Sequence, residues 1–159
     1  MQYTHRYASP LGGITLASDG EALVGLWFEG QKHFGAGLTG EQIEKPLPVF
    51  DRAEQWLKLY FSGGKPDFTP SLRPHGTAFQ ETVWRRLLDI PYGRTVPYGE
   101  IAAALGLPPG AARAVGGAVG RNPISLMIPC HRVVGANGSL TGYAGGIERK
   151  KRLLELEKG

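Results

Sequence analysis

The chain has 159 residues, 42% of them hydrophobic and 20% charged, with a formal net charge of +4 and a single cysteine. That is enough for one or two small domains with a real core and too little for a large multidomain machine. No apolar run approaches the roughly 18 residues of a membrane helix and the opening MQYTHRYASP carries no apolar secretory segment, so a soluble, cytoplasmic protein is expected.

The charge is unevenly placed. Residues 1–72 hold 6 Lys and Arg against 8 Asp and Glu, whereas residues 73–159 hold 12 against 6. A cut after Leu72 therefore predicts an N-terminal α/β domain over 1–72 and a basic C-terminal domain over 73–159. A polyanion such as nucleic acid docking on the second half accounts for the asymmetry, and an idle basic surface is the alternative.

In chain order, residues 3–7, 13–18 and 23–29 are β-rich stretches separated by the turn signals SPLGG and SDGEA, which predicts a small antiparallel sheet. After the polar, glycine-containing stretch 30–40, Phe50, Ala53, Trp56, Leu57, Tyr60 and Phe61 recur at helical spacing. That helix ends near Gly63 and Gly64 and is expected to pack on the sheet. This half shows no chemistry: it has no cysteine, and its tryptophans and phenylalanines read as core.

The second half opens with Thr77 and, three residues on, Gln80, the pattern of a capping box. Phe79, Val83, Trp84, Leu87 and Leu88 mark the buried face of the helix that follows, and IPYG breaks it. In TVPYGEIAAALG, Pro97 suits a first helical position, Glu100 the first turn and Gly106 the C-terminal cap. A second helix opens after LPPG and runs through AARAVGGAV to about Val119, giving the outline of a helix-turn-helix. Ala111, Ala112, Ala114, Gly116, Gly117 and Ala118 leave one face of it without bulk, although each glycine costs about 1 kcal/mol against alanine. Either another helix packs there with Arg113 merely solvated, or DNA approaches with Arg113 as the one long cation on a smooth surface.

The sole thiol, Cys130, lies at the end of the apolar run SLMIPC and is followed by His131 and Arg132. A buried cysteine is often only a small hydrophobe, so this one is either core filler or chemistry. A proline fixes the backbone before it, an imidazole with a near-neutral pKa follows it, and the basic surroundings favour thiolate. In a strand, adjacent residues point to opposite faces, so a link from Cys130 to His131 requires a turn or a bridging water. The histidines His5, His33 and His75 lack ligand spacing, so no metal is expected.

The run IPCHRV, preceded by RAVGGAVGRNP and followed by GYAGG and a basic C-terminal helix, resembles the active-site signature of the O6-alkylguanine-DNA alkyltransferases, also called methylated-DNA-protein-cysteine methyltransferases. The resemblance covers residues 77–159 continuously and fits the first 75 only loosely. It implies an α+β fold: a ribonuclease H-like N-terminal domain with a small sheet and a helix, then a mostly helical domain with a winged-helix-like helix-turn-helix. It also implies a monomeric DNA repair protein that transfers an alkyl group irreversibly from O6-alkylguanine, and less readily O4-alkylthymine, in double-stranded DNA to Cys130. No membrane and no cofactor take part.

By the same resemblance Glu157 orients His131, His131 deprotonates Cys130 through a water, and Asn122 ties the turn after the recognition helix to the thiol segment. Arg113 enters the base stack when the damaged nucleotide is extruded, with Ala111, Ala112, Gly116 and Gly117 letting the helix lie close to DNA. Tyr98 donates to guanine N3 and meets the turned phosphate. Backbone carbonyls of Cys130 and Val133 accept from the guanine amine, and the loop through Tyr143 closes over the base. Many members carry Ser after that tyrosine; here Ala144 leaves only its backbone N–H as a donor to guanine O6. Two other readings stay open: a lesion-binding module of the same fold that does not react, against which the cysteine speaks, and a thiol hydrolase using Cys130 and His131, which leaves the bare helix and the charge split unexplained.

Overall fold

The computed structural model describes residues 2–35, 38, 40–140 and 143–158. Their contacts group into Met1–His75 with Pro123–Ser125, and Gly76–Asn122 with Leu126–Gly159. In the first unit, β1 (Gln2–Ser9) and β2 (Gly12–Ser18) form an antiparallel hairpin with Tyr3 opposite Ser18 and Ser9 opposite Gly12. Gly12 takes the turn at φ 113°, a conformation that favours glycine. β3 (Leu23–Phe28) pairs antiparallel with β2 and is buried along its whole length. Its outer edge is not left open, because Leu23 exchanges hydrogen bonds with Ser71 and Arg73, and Leu26 with Pro123 and Ser125, at 2.7–3.1 Å. That use of Pro123–Ser125 lies far in sequence from a single cut after Leu72.

The sheet is not wholly antiparallel. A three-residue β4 (Gln42–Glu44) joins β1 in parallel, giving the order β3-β2-β1-β4. Its QIE sequence is too short and too exposed to announce itself by alternation. The predicted helix is α1 (Pro48–Phe61), with Pro48 in its first turn and Val49, Phe50, Ala53, Trp56, Leu57 and Tyr60 buried. It meets the sheet where His5 of β1 stacks on Phe50 at 5.4 Å and hydrogen-bonds Glu54.

Gly25 in β3 shows how tightly this core is filled. A Cβ there would stand 2.0 Å from Cη2 of Trp27, itself packed against Ala17, Val24 and Leu38. Gly25→Ala is expected to destabilise the chain by about 1–3 kcal/mol through overpacking. A thermal melt reads the loss as a lower midpoint, and an unchanged midpoint contradicts it.

The second unit begins with α2 (Ala78–Leu87), whose capping box is formed: Thr77 Oγ1 accepts from the Gln80 N–H at 3.1 Å and Gln80 Oε1 from the Thr77 N–H at 3.0 Å. Val83, Trp84 and Leu87 are buried, but Phe79 and Leu88, expected on the same face, are 38% and 47% exposed. Both sit at the margins of the stripe, where helical phase turns them outward. β5 (Val96–Pro97) leads into α3 (Tyr98–Ala104), so Pro97 is the N-cap rather than the first helical residue. Glu100 lies in the first turn, and Gly106 at φ 72° ends the helix. A 3₁₀ turn, Pro109–Ala111, opens α4 (Ala112–Gly120), which completes the helix-turn-helix. Trp84 anchors α2 on α4 by donating its indole N–H to the Ala118 carbonyl at 2.8 Å. β6 (Val133–Val134) pairs in parallel with β5, and α5 (Ile147–Lys158) closes the unit. The fold is α+β. Among the described residues, no helix is long and apolar enough to cross a membrane.

Candidate active site

The thiol segment is set by a short path after α4. Asn122, buried, donates from Nδ2 to the Ile128 carbonyl at 2.8 Å, and Leu126 turns the chain between them at φ 72°. Cys130–Arg132 then form a 3₁₀ turn, with the Cys130 N–H on the Ile128 carbonyl at 2.7 Å and the Arg132 N–H on that of Pro129 at 3.0 Å. The segment is therefore not a strand at the thiol. In a 3₁₀ turn successive side chains are rotated by about 120° rather than 180°, so Cys130 and His131 are not forced onto opposite faces.

Five polar or titratable side chains are buried here: Cys130, His131, Arg132, Lys150 and Glu157 are between 0% and 8% exposed. Glu157 sits at the centre. Its Oε2 contacts His131 Nε2 at 2.6 Å and accepts from Arg132 Nη2 at 3.1 Å; its Oε1 accepts from Arg132 Nε at 2.8 Å and the Gly93 N–H at 3.1 Å. With Nε2–H donating to the carboxylate, the lone pair of His131 lies on Nδ1, a buried atom with no hydrogen-bond partner among the described residues. The Tyr143 ring stands edge-on to this imidazole with centroids 6.5 Å apart. Tyr143 folds back over Gly145, where a Cβ would meet its ring at 2.5 Å, and half-buried Ala144 lies between them. Gly142 of the GYAGG motif lies outside the described residues.

The electrostatics correct one expectation. Basic surroundings were to favour thiolate, yet burial pushes the Cys130 thiol up to about 11. A hydrogen bond from Asn122 and the charge of Lys150 oppose this without overcoming it. Burial likewise lowers His131 below its usual value, opposed by Glu157 and reinforced by Arg132 and Lys150. The resting pair is thus thiol and neutral imidazole. Lys150, fully buried, is brought down to about 8 by desolvation, with Cys130 as the opposing influence.

Neither Arg132 nor Lys150 was assigned a role from sequence. Lys150 hides in the run ERKKR, but it shares a face with Leu153 and Glu157 at spacings of three and four, and that phase was the available signal. Its ammonium donates to the Val133 carbonyl, and the Val133 N–H in turn reaches the Cys130 carbonyl. Both carbonyls expected to face a guanine amine therefore already accept one hydrogen bond, leaving each a second lone pair.

The remaining candidates lie along α3 and α4. Val115, Ala118 and Val119 point inward, Ala111 and Ala112 are half-buried, and Arg113, Ala114 and Gly117 are exposed, so one long cation stands on a bare surface. Gly116 is not part of that open strip: the half-buried Tyr98 ring lies 3.7 Å from where its Cβ would be. A Cβ at Gly117 would meet nothing within 4 Å. Among the described residues no three His, Cys, Asp or Glu side chains gather as a metal site, and His5 is engaged with Glu54.

Comparison with known proteins gives a consistent picture. Residues 78–159 match the DNA-binding domain of 6-O-methylguanine DNA methyltransferase, and residues 2–74 match its ribonuclease-like domain. The methylated-DNA–protein-cysteine methyltransferase of Mycobacterium tuberculosis is 50% identical over 151 residues, 94% of this chain and 88% of that protein. The protein of the same name from Haemophilus influenzae is 44% identical over 159 residues, 99% of this chain and 87% of its own. Among solved structures, Mycobacterium tuberculosis OGT in complex with DNA superposes with a TM-score of 0.89 at 47% identity, covering 98% of this chain and 92% of that one. An O6-methylguanine DNA methyltransferase from Methanococcus jannaschii gives 0.68 at 33% identity, covering 97% and 93%.

Proposed function

The chain belongs to the 6-O-methylguanine DNA methyltransferase family, and on that premise we propose that it takes the alkyl group from O6-alkylguanine, and less readily O4-alkylthymine, in double-stranded DNA and keeps it on Cys130. The observation that carries this reading is the buried His131–Glu157 contact of 2.6 Å beside the only thiol of the chain. A thiol held at about 11 is inert until its proton is taken, and His131 Nδ1 is the atom able to take it, through one bridging water. The sulfur lone pair then forms the S–C bond as the C–O6 bond breaks, and its electrons leave with guanine as a stabilised anion. Tyr98 hydrogen-bonds that anion at N3. His131 holds the sulfur's former proton as imidazolium, stabilised by Glu157. Asn122 fixes the thiol segment throughout.

O6 within a stacked duplex is beyond reach of a buried thiol, so the nucleotide must turn out of the helix, at a cost of a few kcal/mol. Arg113 fills the vacated stack, while Ala111, Ala112 and Gly117 keep the rest of the face low enough for close approach, and Gly116 seats the Tyr98 ring behind it. The second lone pairs of the Cys130 and Val133 carbonyls receive the guanine amine, Tyr143 covers the base, and the Ala144 N–H faces O6. The protein works as a monomer in the cytoplasm, associated with the nucleoid if the cell is bacterial or archaeal.

A thioether offers no leaving group and no neighbouring base expels it, so each molecule reacts once. With duplex O6-methylguanine in excess, repaired DNA is expected to reach one equivalent per protein and stop. Continued turnover contradicts the proposal, and hydrolysis of a thiol-reactive ester in its place favours the hydrolase.

A further inference from the structure

The mechanism above leaves Arg132 unused, although it is buried, fixed by four contacts and adjacent to the proposed base. Its Nε and Nη2 grip the two oxygens of Glu157 at 2.8 and 3.1 Å, its Nη1 donates to the Ile90 carbonyl at 2.8 Å, and its guanidinium lies 5.6 Å from the Tyr92 ring centroid. A carboxylate has about four acceptor sites. His131, the two Arg132 nitrogens and the Gly93 N–H supply four donors. We propose that Arg132 is a positioning residue for the transfer: by gripping both oxygens of Glu157 it fixes the carboxylate against His131 and neutralises part of the charge that His131 meets.

The reason lies in opposed requirements on one carboxylate. Glu157 must hold the imidazole in place, yet a full negative charge at 2.6 Å favours imidazolium, which has no lone pair left for the Cys130 proton. A guanidinium shared across both oxygens keeps the geometry and weakens the field. Lysine, as a point charge with no planar fork, supplies the charge without the alignment. The other groups acting on His131 are Lys150 on α5 and the Tyr143 ring, with Tyr92 behind Arg132. Of these only Lys150 adds positive charge, and Arg132 acts in the same direction to keep the imidazole neutral.

The inference rests on the proposed transfer for its chemical meaning, but its test does not require guanine. The rate of Cys130 alkylation is followed against pH with iodoacetamide and, separately, with O6-benzylguanine, in the wild-type chain, Arg132→Gln and Arg132→Lys. Removing the charge raises His131, so Arg132→Gln is expected to move the acid limb up by about one pH unit or more with either reagent. Arg132→Lys is expected to leave the limb near its wild-type position while lowering the rate. A folded Arg132→Gln chain with a wild-type limb overturns the proposal. Should that variant not fold, Arg132→Lys decides: a wild-type rate overturns the positioning role. A wild-type chain that reacts with iodoacetamide but takes no methyl from duplex O6-methylguanine refutes the transfer reading, while the iodoacetamide limb still judges Arg132.

Discussion

Replacing His131 by phenylalanine is expected to slow methyl transfer to Cys130 by about 10²- to 10⁴-fold, the range that a lost general base costs, while affinity for undamaged DNA stays near wild type. The size of the effect follows from the thiol. Burial raises Cys130 to about 11, so at neutral pH almost no thiolate is present to react without help. His131 compensates because its own pKa is lowered from 6.5, chiefly by burial, leaving it neutral and able to accept a proton across the neutral range. The sign is definite: the wild-type rate should hold down to about 6.5 and fall only at lower pH, where the imidazole becomes charged. Single-turnover rates with a duplex O6-methylguanine substrate read both expectations. A phenylalanine variant as fast as wild type, with the fold intact by circular dichroism, excludes His131 as the base.

The second large effect belongs to α4. Arg113→Ala is expected to slow repair of duplex DNA by about 10- to 100-fold, since losing part of the few kcal/mol that offset nucleotide extrusion translates at 1.4 kcal/mol per factor of ten. Reaction with free O6-benzylguanine should be unchanged, because a free base needs no extrusion. The structure supports so selective an effect: Arg113 is exposed on a strip with Ala114 and Gly117, while Val115, Ala118 and Val119 hold the helix to its unit from the opposite side. Truncating an exposed side chain there removes no core contact. Parallel loss on both substrates contradicts the role assigned to Arg113.

What could be read from sequence was whatever chemistry is local. The capping box at Thr77 and Gln80, the stripe of α1 and the helix-turn-helix each depend on neighbours within a few residues, and each is present. Three features depended on distant partners. β4 exists because β1 offers it an edge, not because QIE favours a strand. Glu157 has the composition of a surface carboxylate, and only the burial of one face of α5 brings it beneath His131 and Arg132. The thiol's basicity depends on desolvation, which a sequence does not display, as well as on the nearby cations, which it does. The adjacency of Cys130 and His131 suggested a strand-like conflict that the 3₁₀ turn removes.

In the proposed reaction one sulfur accepts and retains the group that DNA loses. Stoichiometric protein is incubated with a duplex carrying O6-methylguanine, then digested and weighed peptide by peptide. A single added methyl confined to the peptide containing Cys130, matched by an equal yield of unmodified guanine, is the predicted result; repaired guanine with an unmodified Cys130 peptide, or tight binding with no change in either partner, contradicts it.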